Sequence, residues 1–455
     1  MAKQKIIFAR IMRKRYPKYK PTNIPWLKEA PEEWEVLRYK YLFKEINDRS
    51  EKGEEELLSV SQYTGVTVRK DKLEDERDNL TNASSLEGYK RVDKNDLVIN
   101  IMLAWNGSLG VSDYNGIVSP AYCVYKGNSQ VFSKYFHYLL RTDFSKNDFK
   151  KVSTGVVDSR LRMYSDDFFS IYTILPPLPD QRAIAAFLDH KCALIDTFIQ
   201  KKTRLIELLK EQKQALINRA VTRGLDPEAP LKPSGIEWLG DIPEGWEVKK
   251  VKYVITSLAS GGTPSMEKKE FWDGNIPWIS PKDMKYAEIF DSEIKVTHLA
   301  VEKTSVKLIP ANSILMVVRS GILQRTLPIA INRVSVTINQ DLKAITLNNT
   351  IMFEYFIGII RGIENELLNA CRKVVATVDS IEIPYLLDFM IPVPSLEDQK
   401  KLLDYIKREE ANIDLVISRI TREIDLIKEY KSALIAEAVT GGIDVRGWRN
   451  KDEAG

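Results

Sequence analysis

A chain of 455 residues has room for two to four domains, each large enough to bury its own core. With 44% hydrophobic and 29% charged residues it reads as a globular protein, and no apolar run approaches the roughly 18 residues that would span a bilayer. Net charge is only +4, which excludes a general polycation. Cys123, Cys192 and Cys371 stand too far apart for a zinc site or a disulfide framework, which points to a reducing compartment.

In chain order, residues 1–19 form a basic arm. The first twenty positions hold eight Lys or Arg and no acid. They lack the apolar core and the small-residue cleavage site of a targeting peptide, so the arm is either a solvated tail or a phosphate-contacting one. A globular segment, 20–175, follows. It opens on Lys20-Pro-Thr-Asn-Ile-Pro-Trp-Leu and Pro31-Glu-Glu-Trp-Glu-Val36. The run Asp96–Ile101 then reads as a buried strand that ends in a glycine-containing turn.

Residues 176–226 switch to a helical period. Pro176, Pro177 and Pro179 hold the chain extended, Asp180 is placed to cap the first turn, and Gly224 supplies the stop. Ile184, Leu188, Ile195, Phe198, Leu205, Leu209 and Leu216 recur at three- and four-residue steps, which predicts an amphipathic helix of about 40 residues, roughly 60 Å long.

The chain then begins again. The opening text returns as Lys232-Pro-Ser-Gly-Ile-Glu-Trp-Leu and Pro243-Glu-Gly-Trp-Glu-Val248, pairing Trp26 with Trp238 and Trp34 with Trp246. This second globular segment, 227–390, has its own buried-strand run, Ser313–Val318. A second helical segment, 391–445, starts at a capping-box-like Ser395–Asp398 and carries Ile406, Ile413, Ile420, Ile427 and Leu434 on its stripe. Asp180-Gln181 matches Asp398-Gln399, Ile195-Asp196 matches Ile413-Asp414, and Ala220-Val-Thr222 matches Ala438-Val-Thr440, all at one offset. Residues 446–455 form a tail. Long surface helices have few neighbours, so each stripe is expected to find the other in a coiled coil, the alternative being burial of each stripe against its own globular segment. The connections allow either orientation, and two similar halves about a pseudo-dyad would make it antiparallel. Lys191 and Glu409 are of opposite charge and could support a cross-pair.

Chemistry is sparse. There is no G-x-x-x-x-G-K-[ST] loop, no G-x-G-x-x-G and no H-E-x-x-H, and His137, His190 and His298 are isolated. Glu397-Asp-Gln-Lys400 loosely matches a metal-dependent nuclease core, but its repeat partner reads Pro179-Asp-Gln-Arg182, which favours helix capping. What the globular segments offer instead is loops of small polar, aromatic and basic residues. Gln62, Tyr63, Thr64, Arg69, Asn106, Ser108, Arg160 and Arg162 are the candidates in the first, and Thr263, Ser280, Lys282, Arg319, Arg325 and Gln340 in the second. Asn, Gln and Arg can read base edges, while Ser, Thr and Lys suit phosphates, so the loops together suit a nucleic acid; taken singly, each residue also fits an ordinary turn or a solvated loop.

The Pro-x-Pro-x-x-(Glu/Asp)-Gln start of each helix and its Ala-Val-Thr-x-Gly-(Leu/Ile)-Asp end resemble the conserved regions of type I restriction-modification specificity subunits. Gly261-Gly-Thr-Pro-Ser265, Phe271-Trp and Ile276-Pro-Trp-Ile-Ser-Pro-Lys-Asp-Met284 are similar to the opening of that family's target recognition domains. The resemblance runs over about residues 20–445. It implies an α+β fold of two pseudo-repeated mixed α/β target recognition domains, separated by two long helices that pair as an antiparallel coiled coil. It implies double-stranded DNA as ligand, each domain reading one half of an interrupted target while the helices set the gap. It further implies two methyltransferase subunits and restriction/translocase subunits as partners, carrying S-adenosylmethionine, ATP and Mg2+. This chain would bind no cofactor or metal and catalyse nothing itself. The setting would be a prokaryotic cytoplasm, with no membrane. A stand-alone bipartite DNA-binding or scaffold protein is the competing expectation.

Overall fold

The computed structural model describes residues 14–69, 85–157, 160–374 and 378–449. It divides into two compact units, Met1–Lys202 with Arg422–Gly455, and Thr203–Thr421. These cut across the linear segments: each unit holds one globular segment, part of its own long helix and part of the other.

The first unit is organised on an antiparallel four-stranded sheet in the order Phe43–Ile46, Tyr122–Gly127, Leu97–Asn100, Leu109–Val111. The second repeats that order with Ile255–Ser260, Leu342–Leu347, Ile314–Val317 and Ile329–Asn332, and adds Glu288–Ile289 in parallel at the edge. The two apolar runs singled out in the sequence supply interior strands, and every residue of Leu97–Asn100 and Ile314–Val317 is buried. Each is entered through an asparagine in the left-handed region, Asn95 (φ 75°) and Asn312 (φ 64°), a conformation asparagine tolerates better than most residues. Helices Ser133–Leu140, Asp143–Val152 and Ser165–Ser170 of the first unit match Phe353–Gly362, Glu364–Cys371 and Ile383–Asp388 of the second. The cores differ in chemistry. Tyr39, Phe43, Tyr125, Phe136, Phe149 and Phe168 fill the first with packed rings, whereas Ile, Leu and Val dominate the second. Each such side chain contributes about 1.5–3 kcal/mol on burial.

The long helices run Leu178–Arg223, 46 residues, and Leu396–Val439, 44 residues. Ser395 caps the second, its hydroxyl accepting from the Asp398 amide at 3.1 Å. The first starts differently. Asp180 sits inside the first turn, and its carboxylate accepts from the indole of buried Trp34 at 3.3 Å instead of capping. What the two starts share is the glutamine. Gln181 Oε1 accepts from the Phe132 amide at 2.8 Å, and its Nε2 donates to the carbonyls of Gln130 (2.9 Å) and Pro176 (2.8 Å). Gln399 does the same with Met352 (2.8 Å), Thr350 (3.0 Å) and Pro394 (2.9 Å). The recurrent Asp-Gln is therefore a docking device rather than a shared cap: a fully buried amide satisfies main-chain groups on the globular segment.

Within each unit the helices pair antiparallel. In the first, Lys202 meets Glu423 (2.9 Å) and Lys431 meets Asp196; in the second, Lys213 meets Asp414 (2.8 Å) and Glu410 (3.4 Å). The position rises along one helix as it falls along the other. Glu409 is occupied by its neighbour Arg408 at 3.1 Å, so the crossing pairs are not the one suggested by Lys191 and Glu409. Ile184 and Leu188 lie in the first unit's core together with Leu434, and Ile406 lies in the second's. Ile195 is half-buried against the first core, and Phe198 packs under the Lys202 ammonium. Ile413 and Ile420 are buried, while Ile427, Leu209 and Leu216 are half-buried. Leu205 is 39% exposed and Ile217 only 2%, because the buried line passes through Lys202 and Lys213. Both lysines are half-buried, and their ammonium groups pair with Glu423 and with Asp414 and Glu410. A search for apolar letters alone skips both.

Each helix stops at a glycine in the left-handed region that packs on a preamble. Gly441 (φ 78°) lies on Pro31 and Trp34 in the first unit, and Gly224 (φ 76°) on Pro243 and Trp246 in the second. The described end of the basic arm is also tied down: Lys14 O accepts from the Asp444 amide at 2.6 Å, and Tyr16 is buried beside Trp34 under the Arg446 guanidinium. Residues 1–13 and 450–455 lie outside the described residues.

Candidate nucleic-acid interface

In the first unit the hairpin Leu58–Ser61 and Gly65–Val68 turns through Gln62, Tyr63 and Thr64. Ser61 shapes the turn, its hydroxyl accepting from the amides of Tyr63 and Thr64 (both 3.1 Å). Tyr63 at the tip is 83% exposed. The neighbouring loop carries Asn106, whose Oδ1 accepts from the Ser108 amide (3.2 Å) and hydroxyl (2.9 Å). Ser108 is buried and spent on this turn, so it shapes the loop instead of facing a ligand.

One side chain joins the two loops. Arg141 Nη2 donates to the carbonyls of Gln62 (2.9 Å) and Tyr63 (2.8 Å), and Nη1 to that of Leu109 (2.7 Å), with longer approaches to Ser61 and Gly107 (both 3.4 Å). Beside it His137 accepts from the Val111 amide at 3.3 Å. Burial, reinforced by the Arg141 charge, lowers the His137 pKa to about 4, so the ring is neutral at physiological pH. Arg69 lies at the far end of the hairpin, its amide bonded to Leu57 O at 3.0 Å. Arg160 is exposed, and Arg162 pairs with Thr154 across a narrow bridge while its guanidinium donates to Leu161 O at 2.8 Å. The positions between them, 158 and 159, lie outside the described residues.

In the second unit the loops meet at the segment Asn339–Asp341. The Asn339 amide donates to Ile279 O (2.9 Å), next to Ser280. Gln340 Oε1 accepts from the Thr263 hydroxyl at 2.6 Å. Asp341 accepts from Arg319 Nε (2.7 Å) and from Asn339 Nδ2 (3.0 Å). Gly261 is obligatory here, since a Cβ would stand 2.1 Å from Ile338 O. Ser280 is held by Asp283, whose Oδ2 accepts from the Ser280 amide and hydroxyl (both 2.8 Å); Lys282 on the same turn is exposed. Thr263, Ser280, Arg319 and Gln340 are thus brought together. Arg325, exposed at the end of the turn Gly321–Gln324, stands outside this hydrogen-bonded group. Next to Thr263 a cavity of about 540 Å³ is lined by Lys268, Lys303 and Glu270.

Three organisers escape a reading by residue type: Arg141, Asp341, and Glu364, whose Oε1 accepts from the Thr326 hydroxyl (2.6 Å) and the Leu327 amide (2.5 Å). Arg141 left one signal, since an arginine also ends the matching helix of the second unit at position 361. Among the described residues no group of His, Cys, Asp and Glu is placed to hold a metal ion, and no helix is long and apolar enough to cross a membrane.

The family described as type I restriction modification DNA specificity domain matches residues 243–425. The EcoR124I/EcoR124II specificity subunit of Escherichia coli is 34% identical over 277 residues, covering 57% of this chain and 68% of that one. The MjaVIII specificity subunit of Methanocaldococcus jannaschii is 24% identical over 442 residues, 92% of this chain and 94% of its own. Among solved structures, a chain from work on complex assembly and conformational transition of the type I R-M system superposes with a TM-score of 0.69 at 15% identity, covering 91% of this chain and 99% of that one.

Proposed function

From the premise that the chain belongs to the family of type I restriction enzyme specificity subunits, we propose that each of its two units reads one half of an interrupted DNA target. The observation that carries this is the duplicated scaffold with unlike loops: one sheet order appears twice, presenting Gln62–Thr64 and Asn106 in one copy and Thr263, Arg319 and Gln340 in the other. Two copies of a scaffold with different loops suit an asymmetric target. Exposed Tyr63, Arg160, Lys282 and Arg325 supply stacking, base-edge and phosphate contacts.

The helices would set the gap between the half-sites and dock two methyltransferase subunits. At 1.5 Å per residue, 46 residues extend about 69 Å, near two turns of DNA. Modification chemistry, with S-adenosylmethionine on an extruded adenine, and ATP- and Mg2+-dependent translocation and cleavage by restriction subunits would belong to partner chains in a prokaryotic cytoplasm. This chain would supply the address.

The test is co-expression with the cognate methyltransferase subunit and sequencing of modified adenines. A stable complex and one bipartite methylated motif are expected. No complex and no motif would refute the proposal and leave a stand-alone DNA-binding scaffold. Arg325→Ala should weaken one half-site only, and matched insertions in both helices should change the gap while leaving the half-site bases alone.

A further inference from the structure

In both units the loop between two sheet strands is tied to the same place on the scaffold. That place is the elbow joining two consecutive helices: Ser133–Leu140 to Asp143–Val152 in the first unit, and Phe353–Gly362 to Glu364–Cys371 in the second. In the first, Arg141 at the elbow donates to Leu109 O, at the end of the loop that carries Asn106, and to the carbonyls of Gln62 and Tyr63. In the second, Glu364 accepts from the Thr326 hydroxyl and the Leu327 amide, at the end of the loop that carries Arg319 and Arg325. The elbow is the same, the two residues stand three positions apart on it, and the chemistry is opposite. A cation gathers carbonyls in one unit, and a carboxylate gathers N–H and O–H donors in the other.

The scaffold does not require this. Gln181 and Gln399 bind the amides of Phe132 and Met352, which puts the two first helices in register and makes Arg141 the counterpart of Arg361. Yet Arg361 turns the other way and pairs with Glu410 of a long helix at 2.8 Å. An arginine at this elbow is therefore free to serve the helix, and in the first unit it serves the loop.

We infer that Arg141 and Glu364 are positioning residues that hold the reading loops of their own units, so that each governs discrimination at one half-site alone. The inference rests on the proposed reading of the units as target recognition domains. Neither residue has to touch DNA: Arg141 acts through the backbone of Gln62 and Tyr63, Glu364 through that of Leu327. Arginine's planar fork carries five donors and reaches carbonyls on both loops, whereas a lysine offers three donors from a single point.

The experiment uses the full chain co-expressed with its methyltransferase subunits, with modified adenines sequenced in host DNA. Arg141→Gln should relax base discrimination by roughly tenfold in one half-site, the scale of one lost base-edge contact, with the other half-site and the gap unchanged. Arg141→Lys should relax the same half-site less. Glu364→Ala should relax the opposite half-site, and Glu364→Gln, whose amide oxygen still accepts, should behave as wild type. The half-site that is still read reports that each variant is folded. Relaxation of both half-sites by either variant, or of neither, overturns the inference.

A second readout does not depend on DNA. Amide hydrogen exchange should accelerate at least tenfold at Ser61–Thr64 and Gly107–Gly110 in Arg141→Gln, and at Leu327 in Glu364→Ala, with the sheet strands unchanged. Unaltered exchange in those loops overturns the inference whatever the methylation pattern. A wild-type complex that leaves no bipartite motif refutes the proposed function instead, and the exchange result then decides by itself whether the elbows hold the loops.

Discussion

Lys431 places its ammonium 2.6 Å and 2.7 Å from the two carboxylate oxygens of Asp196. Lys213 stands 3.0 Å and 2.8 Å from those of Asp414. Lys213 and Lys431 are equivalent positions of the internal repeat, and so are Asp196 and Asp414, so one crossing contact is written twice. Only antiparallel helices can satisfy both. All four groups are partly exposed, so each pair contributes about 0–1 kcal/mol. Lys431→Asp should lower stability by about 1 kcal/mol, and combining it with Asp196→Lys should restore about half of the loss. Thermal denaturation of the two variants checks this, and a double variant less stable than the single one would rule out the contact.

Gln181 and Gln399 each satisfy one amide and two carbonyls from a fully buried position. Truncation leaves those groups without partners. Gln181→Ala and Gln399→Ala should each cost about 2–4 kcal/mol of unfolding free energy in urea titrations, with the two losses close to one another. A loss below about 1 kcal/mol for either would show that water replaces the amide.

The two helix-stop glycines separate strain from crowding. Both have positive φ, but a Cβ on Gly441 would stand 2.6 Å from the Pro31 ring, whereas on Gly224 its nearest neighbour is at 3.5 Å. Gly224→Ala should cost about 1 kcal/mol, the left-handed penalty alone. Gly441→Ala should cost about 2–4 kcal/mol because crowding is added. Equal melting temperatures for the two variants would contradict this ordering.

His137 predicts a pH dependence. Its folded pKa, about 4, lies below the ordinary histidine value of 6.5 because burial disfavours the charged ring. Well above pH 6.5 neither state binds the proton and the residue has no effect on stability. As pH falls from 6.5 towards 4, the unfolded chain takes up a proton that the folded chain refuses, so stability is lost across that window. Between about pH 7.5 and pH 5 the loss should be about 2 kcal/mol. His137→Gln should flatten this part of the profile, measured by urea unfolding at both pH values. A wild-type profile that is flat over the window would overturn the assignment.

Much of the architecture is legible in the sequence. The duplication, the long helices, the buried strands at Leu97–Asn100 and Ile314–Val317 and the stop at Gly224 all follow from spacing and local backbone preference. The loops were legible only as composition. Ser108 reads like a phosphate ligand by type and is a buried turn residue in fact. Arg141 carries no loop signal of its own, since its five carbonyl approaches come from segments 32 to 80 positions away.

By itself, then, the sequence determined what is periodic or repeated: the long helices, the buried strand runs, the two-fold copying and the family likeness. These depend on contacts a few residues apart, or on comparing the chain with itself. Tertiary structure alone decided which helix face is buried, with Leu205 left exposed and Ile217 inside. It also decided how the two copies diverge at one elbow, where Arg141 turns to the loop and Arg361 to a helix. The reason is physical: a guanidinium or a carboxylate commits to whichever partners the fold brings within about 3 Å, and that proximity is not encoded in any local pattern.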